Sequence, residues 1–386
     1  MKILHVISGL EVGGAELFLE RLLQTMDASE FEPAVVSLEE IGPIGRRLQH
    51  RGIAVHALGA GFSPTGIAAI LKMRKVTCRL APDLIQGWLY HGNLGASLAR
   101  RAAGLRCPVV WNVRHSLDGW REETAGLRAL IRLGGMLSGS AARIVFNSEM
   151  AAHQHERLGY PKVKAVIIPN GFDCERFRPD AALRLATRRE LGFDSQAIVI
   201  GMVARYHAVK DHETFLQAAH ILLEQAPMTR FLLAGKGAER QNPALRRLLE
   251  KSGLTEQAPA LGEREDIPAL MNALDICVSS SRAEGFPNAV GEAMACGVPC
   301  VVTGVGASAE LVGDTGRVVP ARAPESLAAA LLELVRAGAA ARKQLGAAAR
   351  KRILRQYEQG AIMHRYAELY REVAAYAQPG RDHGAA

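Results

Sequence analysis

The sequence predicts an α/β protein built from two doubly wound, Rossmann-like domains that face each other across a cleft. Three observations predict it. The chain has 386 residues, too many for one ordinary hydrophobic core and enough for two. Short Val/Ile-rich runs alternate with helical stretches, as parallel strands joined by crossover helices do. That alternation occurs twice, with a polar, Arg-rich stretch between the two series.

The first series of strands is Ile3–Ile7, Ala34–Leu38, Val55–Leu58, Asp83–Gly87, Val109–Val113, Arg143–Asn147 and Ala165–Pro169. Their continuous apolar character suits a sheet covered on both faces. Asn170-Gly171 makes a turn, and the interdomain linker is expected within about residues 172–195. The second series is Ala197–Val203, Arg230–Ala234, Ile276–Ser279, Pro299–Thr303 and Arg317–Pro320. An amphipathic helix is expected from about Asp211 to Glu224, and Ala-rich helices after Pro324. A last helix near Glu358–Tyr376 carries Met363, Tyr366, Leu369, Tyr370 and Val373 at mostly three- and four-residue spacing, which gives it a docking face. The expected domains are 1–178 and 179–355, followed by that helix and a disordered tail over 377–386.

Composition narrows the class. The chain is 48% hydrophobic and 22% charged, as globular proteins are, and no apolar run approaches the ~20 residues that span a bilayer. The opening Met1–Ile7 reads as a buried strand rather than a signal peptide. Cysteines 78, 107, 174, 277, 296 and 300 form no CxxC and have no histidine at metal-ligand spacing. They read as reduced core residues of a cytoplasmic protein, and no metal is expected, since no DxD run occurs anywhere in the chain. The net charge is +8, and between residues 46 and 106 ten cations face Asp83 alone. This is either a solvated surface or a patch drawn to an anionic membrane; the membrane is the preferred partner. Nucleic acid is not expected, because no aromatic stacking series or binding module accompanies the charge.

Three motifs carry the chemistry. Glu284-Gly-Phe-Pro-Asn-Ala-Val-Gly-Glu292 sets two acids around a helix start, with seven residues between them. Pro287 suits the first helical turn, and the backbone N–H groups of Phe286, Asn288 and Ala289 would favour an anion there. Glu284 and Glu292 are then separate acceptors for hydroxyls of one extended ligand; the bland reading of Glu292 is an exposed helix charge. Gly9-Leu-Glu-Val-Gly13-Gly14-Ala-Glu16 follows the first strand, where Gly13 and Gly14 let a phosphate or sugar approach, or simply make a tight turn. Its spacing is not that of the dinucleotide fingerprint, although Glu39 at the end of the second strand keeps a dehydrogenase as a weak competitor. In Ala204-Arg205-Tyr-His-Ala-Val-Lys210-Asp211, two cations can converge on a leaving diphosphate. The competing reading is a surface salt bridge with Asp211 or Glu213.

These stretches resemble the retaining glycosyltransferases of family 4, group 1, with the GT-B two-domain fold. Gly13-Gly14-Ala15-Glu16, Ile168-Pro-Asn-Gly-Phe172, Arg205 with Lys210-Asp211, Glu284 through Pro299, and Thr303-Gly-Val-Gly306 with Glu310 carry the resemblance over nearly the whole chain. It implies that Arg205 and Lys210 hold the donor diphosphate. Glu284 would contact donor-sugar hydroxyls together with the backbone of Phe286, Pro287, Asn288 and Ala289, and Glu292 the nucleotide ribose. Gly13 and Gly14 would approach the donor from the opposite domain. Arg264 and Glu265 match a loop near the base. His115 is expected at the sugar, with a hydrogen-bonded structural role as the alternative; His91 and Arg114 are placed on the acceptor side. The last helix would cross back onto the first domain. The resemblance implies transfer of a hexose-type sugar from a nucleotide diphosphate sugar, UDP-linked by preference, to a saccharide or lipid-linked acceptor, with no cofactor. A nucleotide-sugar epimerase, a phosphorylase and a non-catalytic sugar-binding protein are the alternatives.

Overall fold

The computed structural model describes residues 1–59 and 67–376, so the tail expected over 377–386 lies outside the described residues. The chain divides into two compact units: residues 1–169 with 360–386, and residues 170–359.

In the first unit the strands are β1 (Lys2–Ile7), β2 (Glu32–Ser37), β3 (Ala54–Ala57), β4 (Leu84–Trp88), β5 (Val109–Val113), β6 (Arg143–Phe146) and β7 (Ala165–Ile167). All pair in parallel, in the order β3-β2-β1-β4-β5-β6-β7. Both faces are covered, which is why these strands read as unbroken apolar runs. One face packs Leu4, Val36, Ile85, Trp111 and Phe146 against crossover helices. The other packs Ile3, Ile7, Trp88 and Val110 against Phe18, Leu22 and the last helix, Gln359–Tyr376.

That last helix buries Ile362, Met363, Tyr366, Leu369, Tyr370 and Val373, the stripe expected from its periodicity. A polar seam fixes its register. Tyr366 Oη accepts from Asn112 Nδ2 at 2.9 Å and from Arg114 at 3.1 Å, the Tyr370 hydroxyl donates to Gln86 Oε1, and Trp88 Nε1 donates to His5 Nδ1 at 3.1 Å. These bonds satisfy groups that burial would otherwise leave unpaired.

In the second unit the strands are β8 (Ile198–Val203), β9 (Thr229–Ala234), β10 (Ile276–Ser279), β11 (Cys300–Thr303) and β12 (Gly316–Val319), parallel in the order β12-β11-β10-β8-β9. All twelve strands of the described residues lie where the apolar runs placed them, within a residue or two at their ends. The helix expected over Asp211–Glu224 spans His212–Gln225.

Two expectations are corrected. The stretch read as a linker folds into the second unit. Asp180 caps a helix, Ala181–Glu190, whose Arg184 and Arg188 grip Asp275 at 2.7 and 2.8 Å, while Phe177 enters the core. The six cysteines are free, but Cys78 is exposed and Cys107 half-buried, so only the remaining four are core residues.

Candidate functional site

In the second unit the strand order reverses between β8 and β10, so the loops leaving their C-terminal ends part and open a crevice. The β8 loop carries Arg205 and Lys210; the β10 loop carries Ser281 and Glu284. An ion pair, fully buried on its Asp211 side and partly buried on its Arg282 side, joins them. Asp211, whose side chain is 0% exposed, accepts from Arg282 at 2.7 Å and from the Thr214 hydroxyl at 2.8 Å. Asp211 has φ 53° and ψ 54°, a left-handed conformation that Asp tolerates because its short side chain bonds locally. Burial alone would raise its carboxyl; the hydrogen bonds from Arg282 and Thr214 outweigh that and hold it below the usual carboxylate range. Ser280 Oγ, 3.0 Å from both the Lys210 and the Asp211 carbonyl, and Arg282 N, donating to Val209 O at 2.7 Å, complete the join.

This framework presents Lys210 to Glu284. The ammonium and carboxylate form a salt bridge with 23% and 12% of their side chains exposed. Ser281 Oγ donates to the same Glu284 oxygen at 3.1 Å. Lys210, Ser281, Glu284, Pro287, Asn288 and Ala289 line one small cavity. The salt bridge that sequence allowed with Asp211 or Glu213 is thus made with Glu284 instead.

The β11 loop supports Glu284 from behind. Thr303 Oγ1 donates to Ser281 O at 2.6 Å, and a Cβ on Gly306 (φ 51°) would fall 1.4 Å from the Glu284 carbonyl oxygen. No side chain fits there.

The expected helix runs Asn288–Ala295, and Pro287 stands before it, not in its first turn. With φ −83° and ψ 87°, Pro287 is the non-helical capping residue, and its carbonyl accepts from Val290 and Gly291 at 3.1 and 3.2 Å. No side chain caps this end, so the amides of Asn288 and Ala289 begin the helix beside the cavity. Asn170 Nδ2 holds Asn288 Oδ1 at 2.7 Å. The Phe286 side chain is buried against Phe172 and Tyr357, which leaves only its backbone for a ligand.

Other expected site residues lie apart. Arg205 is exposed and has no hydrogen bond or ion pair among the described residues. Glu292 is half-buried, one turn into its helix. Arg264 is held by Asp266 at 2.6 Å and Glu190 at 3.0 Å, and Glu265 is exposed.

In the first unit Gly13 caps the helix Gly14–Thr25, with the Glu16 carboxylate folded back so that a Cβ on Gly13 would lie 2.3 Å from it. That carboxylate sits where a ligand anion would meet the helix start. His91 is exposed, in the first turn of the helix Leu89–Ala103. Arg114, for which an acceptor-side role is expected, packs at the last helix. Its guanidinium lies 3.7 Å over the Phe18 ring and bonds Tyr366, which commits it to the seam beneath the last helix.

His115 stands in a chain of ring nitrogens whose protons can be assigned. His155 Nδ1 faces the Ala151 carbonyl at 2.7 Å and must donate. Burial lowers the His155 pKa to about 4, so near neutral pH its Nε2 is bare and accepts from Tyr90 Oη at 2.7 Å. Burial lowers the His115 pKa, so near neutral pH this ring carries one N–H, which the Glu123 carboxylate accepts from Nε2 at 3.1 Å, and Nδ1 lies 3.2 Å from the Tyr90 oxygen. Both ring nitrogens of His115 therefore face protein groups, as in the structural alternative.

Sequence reasoning missed Ser281, Arg282 and the support from Asn170, Thr303 and Gly306. The last three lie in the Pro-Asn-Gly and Thr-Gly-Val-Gly runs, whose only signal was their likeness to a family pattern.

Comparison with known proteins shows the family and the fold. The description "Glycosyl transferases group 1" matches residues 197–337, and "Glycosyltransferase Family 4" matches residues 12–176. The chain is similar to the lipopolysaccharide core biosynthesis mannosyltransferase LpsB of Rhizobium meliloti, 31% identical over 252 residues that cover 58% of this chain and 68% of LpsB. It is also similar to the Escherichia coli UDP-Gal:alpha-D-GlcNAc-diphosphoundecaprenol alpha-1,3-galactosyltransferase, 29% identical over 61% of this chain and 62% of that enzyme. Among solved structures, Anabaena HepE in complex with UDP superposes with a TM-score of 0.84 at 22% identity, over 96% of this chain and 100% of HepE.

Proposed function

The chain belongs to the group 1 glycosyltransferases of GT-B fold, and from that premise we propose that it transfers a hexose-type sugar from a UDP-linked donor to a saccharide or lipid-linked saccharide, retaining the anomeric configuration and using no metal. The setting proposed is cell-surface polysaccharide or lipopolysaccharide synthesis at the inner face of a membrane. The relatives that act in lipopolysaccharide core synthesis and on a diphosphoundecaprenol acceptor support it.

The observation that carries the reading is the Lys210–Glu284–Ser281 cluster at the reversal of the second sheet, beside an uncapped helix start. In the proposed reaction the bond between the anomeric carbon and the diphosphate oxygen breaks, and its electrons pass to that oxygen. Lys210, joined by the uncommitted Arg205, neutralises the charge as it develops, which is where a fixed cation contributes most. The acceptor hydroxyl attacks the anomeric carbon on the face the diphosphate leaves, and its proton passes to the departing phosphate oxygen. Glu284 accepts from donor-sugar hydroxyls, held in place by Ser281, and Glu292 from the ribose. The two cations serve where a metal otherwise would.

The test is turnover of a panel of nucleotide sugars with and without saccharide acceptors. Slow release of UDP by hydrolysis, accelerated by acceptor, is expected, and Lys210→Ala should lower it by about 10²–10³-fold with little change in unfolding midpoint. Interconversion of the donor alone would make the protein an epimerase, and tight binding without turnover a binding module. Near wild-type turnover of Lys210→Ala would remove this residue from the mechanism. A thermal-shift comparison of UDP and GDP decides the base, since ligand at 100 times its Kd stabilises by about 2.7 kcal/mol.

A further inference from the structure

The helix Ala125–Leu137 carries no acidic residue, and its solvent-facing side is apolar. Ala125, Gly126, Ala129, Arg132, Leu133, Met136 and Leu137 are its exposed positions, an arc of about 140° at 3.6 residues per turn. Leu133 is 40% exposed, Met136 76% and Leu137 42%. A helix of a soluble domain ordinarily turns such side chains inward. This one is held from turning. On its inner side a Cβ on Gly134 would fall 2.2 Å from the Tyr160 hydroxyl and one on Gly135 2.0 Å from the Leu158 carbonyl, while Tyr160 Oη donates to Ile131 O at 3.1 Å. The two glycines let the helix press so close that its rotation is set, and the apolar arc stays outward.

Cations border that arc. Arg132 lies at one margin, its guanidinium 5.3 Å over the Trp120 ring. Beyond the helix C-terminus, the turn Lys162–Lys164 presents Val163, 89% exposed, between two lysines. Lys164 ties that turn to the helix end by donating to Gly139 O at 2.6 Å and Ala141 O at 2.8 Å. The nearest acids along the chain, Glu122 and Glu123, lie before the helix N-terminus, and Glu123 is engaged by His115. Apolar side chains flanked by Lys and Arg suit a surface that sinks slightly into an anionic bilayer. Glu149 and Glu156 line one cavity with Lys162, whereas Arg132 and Lys164 form no ion pair among the described residues.

We infer that the exposed face of Ala125–Leu137, with the Lys162–Lys164 turn, docks this protein on an anionic lipid surface. The inference rests on the lipid-linked acceptor proposed above for its purpose, and on this surface alone for its existence. It assigns the apolar anchor to a helix outside the cation-rich 46–106 segment, whose Arg47 is already bound by Glu20 at 2.7 Å.

Sedimentation of the full chain with vesicles tests it. Wild type should pellet with an equal mixture of phosphatidylcholine and phosphatidylglycerol, and far less with phosphatidylcholine alone. Leu133→Ser/Met136→Ser/Leu137→Ser should weaken partitioning at least about tenfold, and Arg132→Gln about fivefold. The triple variant should keep the wild-type thermal midpoint and nucleotide-sugar hydrolysis rate. Wild type that stays in the supernatant overturns the inference. So does a triple variant, folded by circular dichroism, that pellets as wild type does, or a wild-type dimer that the triple substitution dissociates. Vesicle binding without turnover of any nucleotide sugar would leave the docking surface standing and remove the transferase reading, so the two failures are distinct.

Discussion

Replacing Gly291 by alanine sets two known effects against each other. Gly291 lies inside the helix Asn288–Ala295, and glycine in a helix interior costs about 0.5–1 kcal/mol relative to alanine, so propensity alone would make the change stabilising. Packing opposes it. A Cβ there would fall 1.9 Å from Phe172 Cζ and 2.3 and 2.4 Å from the two Cε atoms. Carbon atoms in contact prefer roughly 3.5–4 Å, so ring and helix must part by about 1.5–2 Å. The ring has little freedom to yield. Phe172 is 1% exposed, packs against Phe286, and is fixed at its backbone by Phe172 N to Tyr357 O at 2.8 Å and Gln359 N to Phe172 O at 3.0 Å. Overpacking of this kind costs typically about 1–3 kcal/mol, so Gly291→Ala should destabilise the second unit by roughly 1–2 kcal/mol net. With Phe172→Ala in place the clash is gone, and the same substitution should stabilise by up to about 1 kcal/mol. Urea unfolding followed by circular dichroism measures both backgrounds. Trp88, Trp111 and Trp120 all lie in the first unit, so tryptophan fluorescence reports the unit that the substitution does not touch. A stabilising effect in the wild-type background, or an equal effect in both, would refute the reasoning.

Two more predictions follow from buried titratable groups. His5, His155 and His212 are held neutral by burial, with pKa values lowered to about 3, 4 and 4, whereas the unfolded chain binds their protons below about 6.5. Stability is therefore full above about pH 6.5 and falls as pH drops, by about 1.4 kcal/mol per histidine at pH 5.5. Two of the three lie in the first unit, so its fluorescence transition should lose about 3 kcal/mol; a midpoint unchanged between pH 7 and pH 5.5 would contradict this. Arg282→Gln leaves the Asp211 carboxylate buried without its cation and should cost the second unit about 3 kcal/mol. Adding Asp211→Asn should recover part of that loss, and a double variant no more stable than Arg282→Gln would argue against the pairing.

The strands were readable because a parallel sheet covered on both faces demands continuous Val and Ile, and nothing else in the chain competes with that signal. The last helix was readable because Met363, Tyr366, Leu369, Tyr370 and Val373 keep helical period. Lys210, Glu284, Asn288 and Ala289 were placed in one site through their likeness to a family. What the sequence did not disclose are partners that meet only through the strand order. Lys210 finds Glu284, Asp211 finds Arg282 and Asn170 finds Asn288 across many residues, with no local rule linking them. Pro287 was placed one position too far into its helix, because proline at a helix start fits either side of the boundary until ψ is known. The Arg-rich 172–195 stretch looked like a linker because its charges seemed solvated, whereas Asp275, far along the chain, neutralises two of them.

The seam beneath Tyr366 and Tyr370 also constrains how this protein can be made. The first sheet is translated early, yet the helix that covers Ile3, Phe18, Phe31 and Trp88 follows only after residues 170–359. At about 5–20 residues per second, the ribosome needs roughly 10–40 s to reach it. Throughout that interval a nascent chain carries a bare aromatic face, with Gln86 and Asn112 lacking their tyrosine partners. Folding of the first unit thus waits on the second, and a nonsense mutation anywhere before Gly360 should yield a product that chaperones retain and proteases remove.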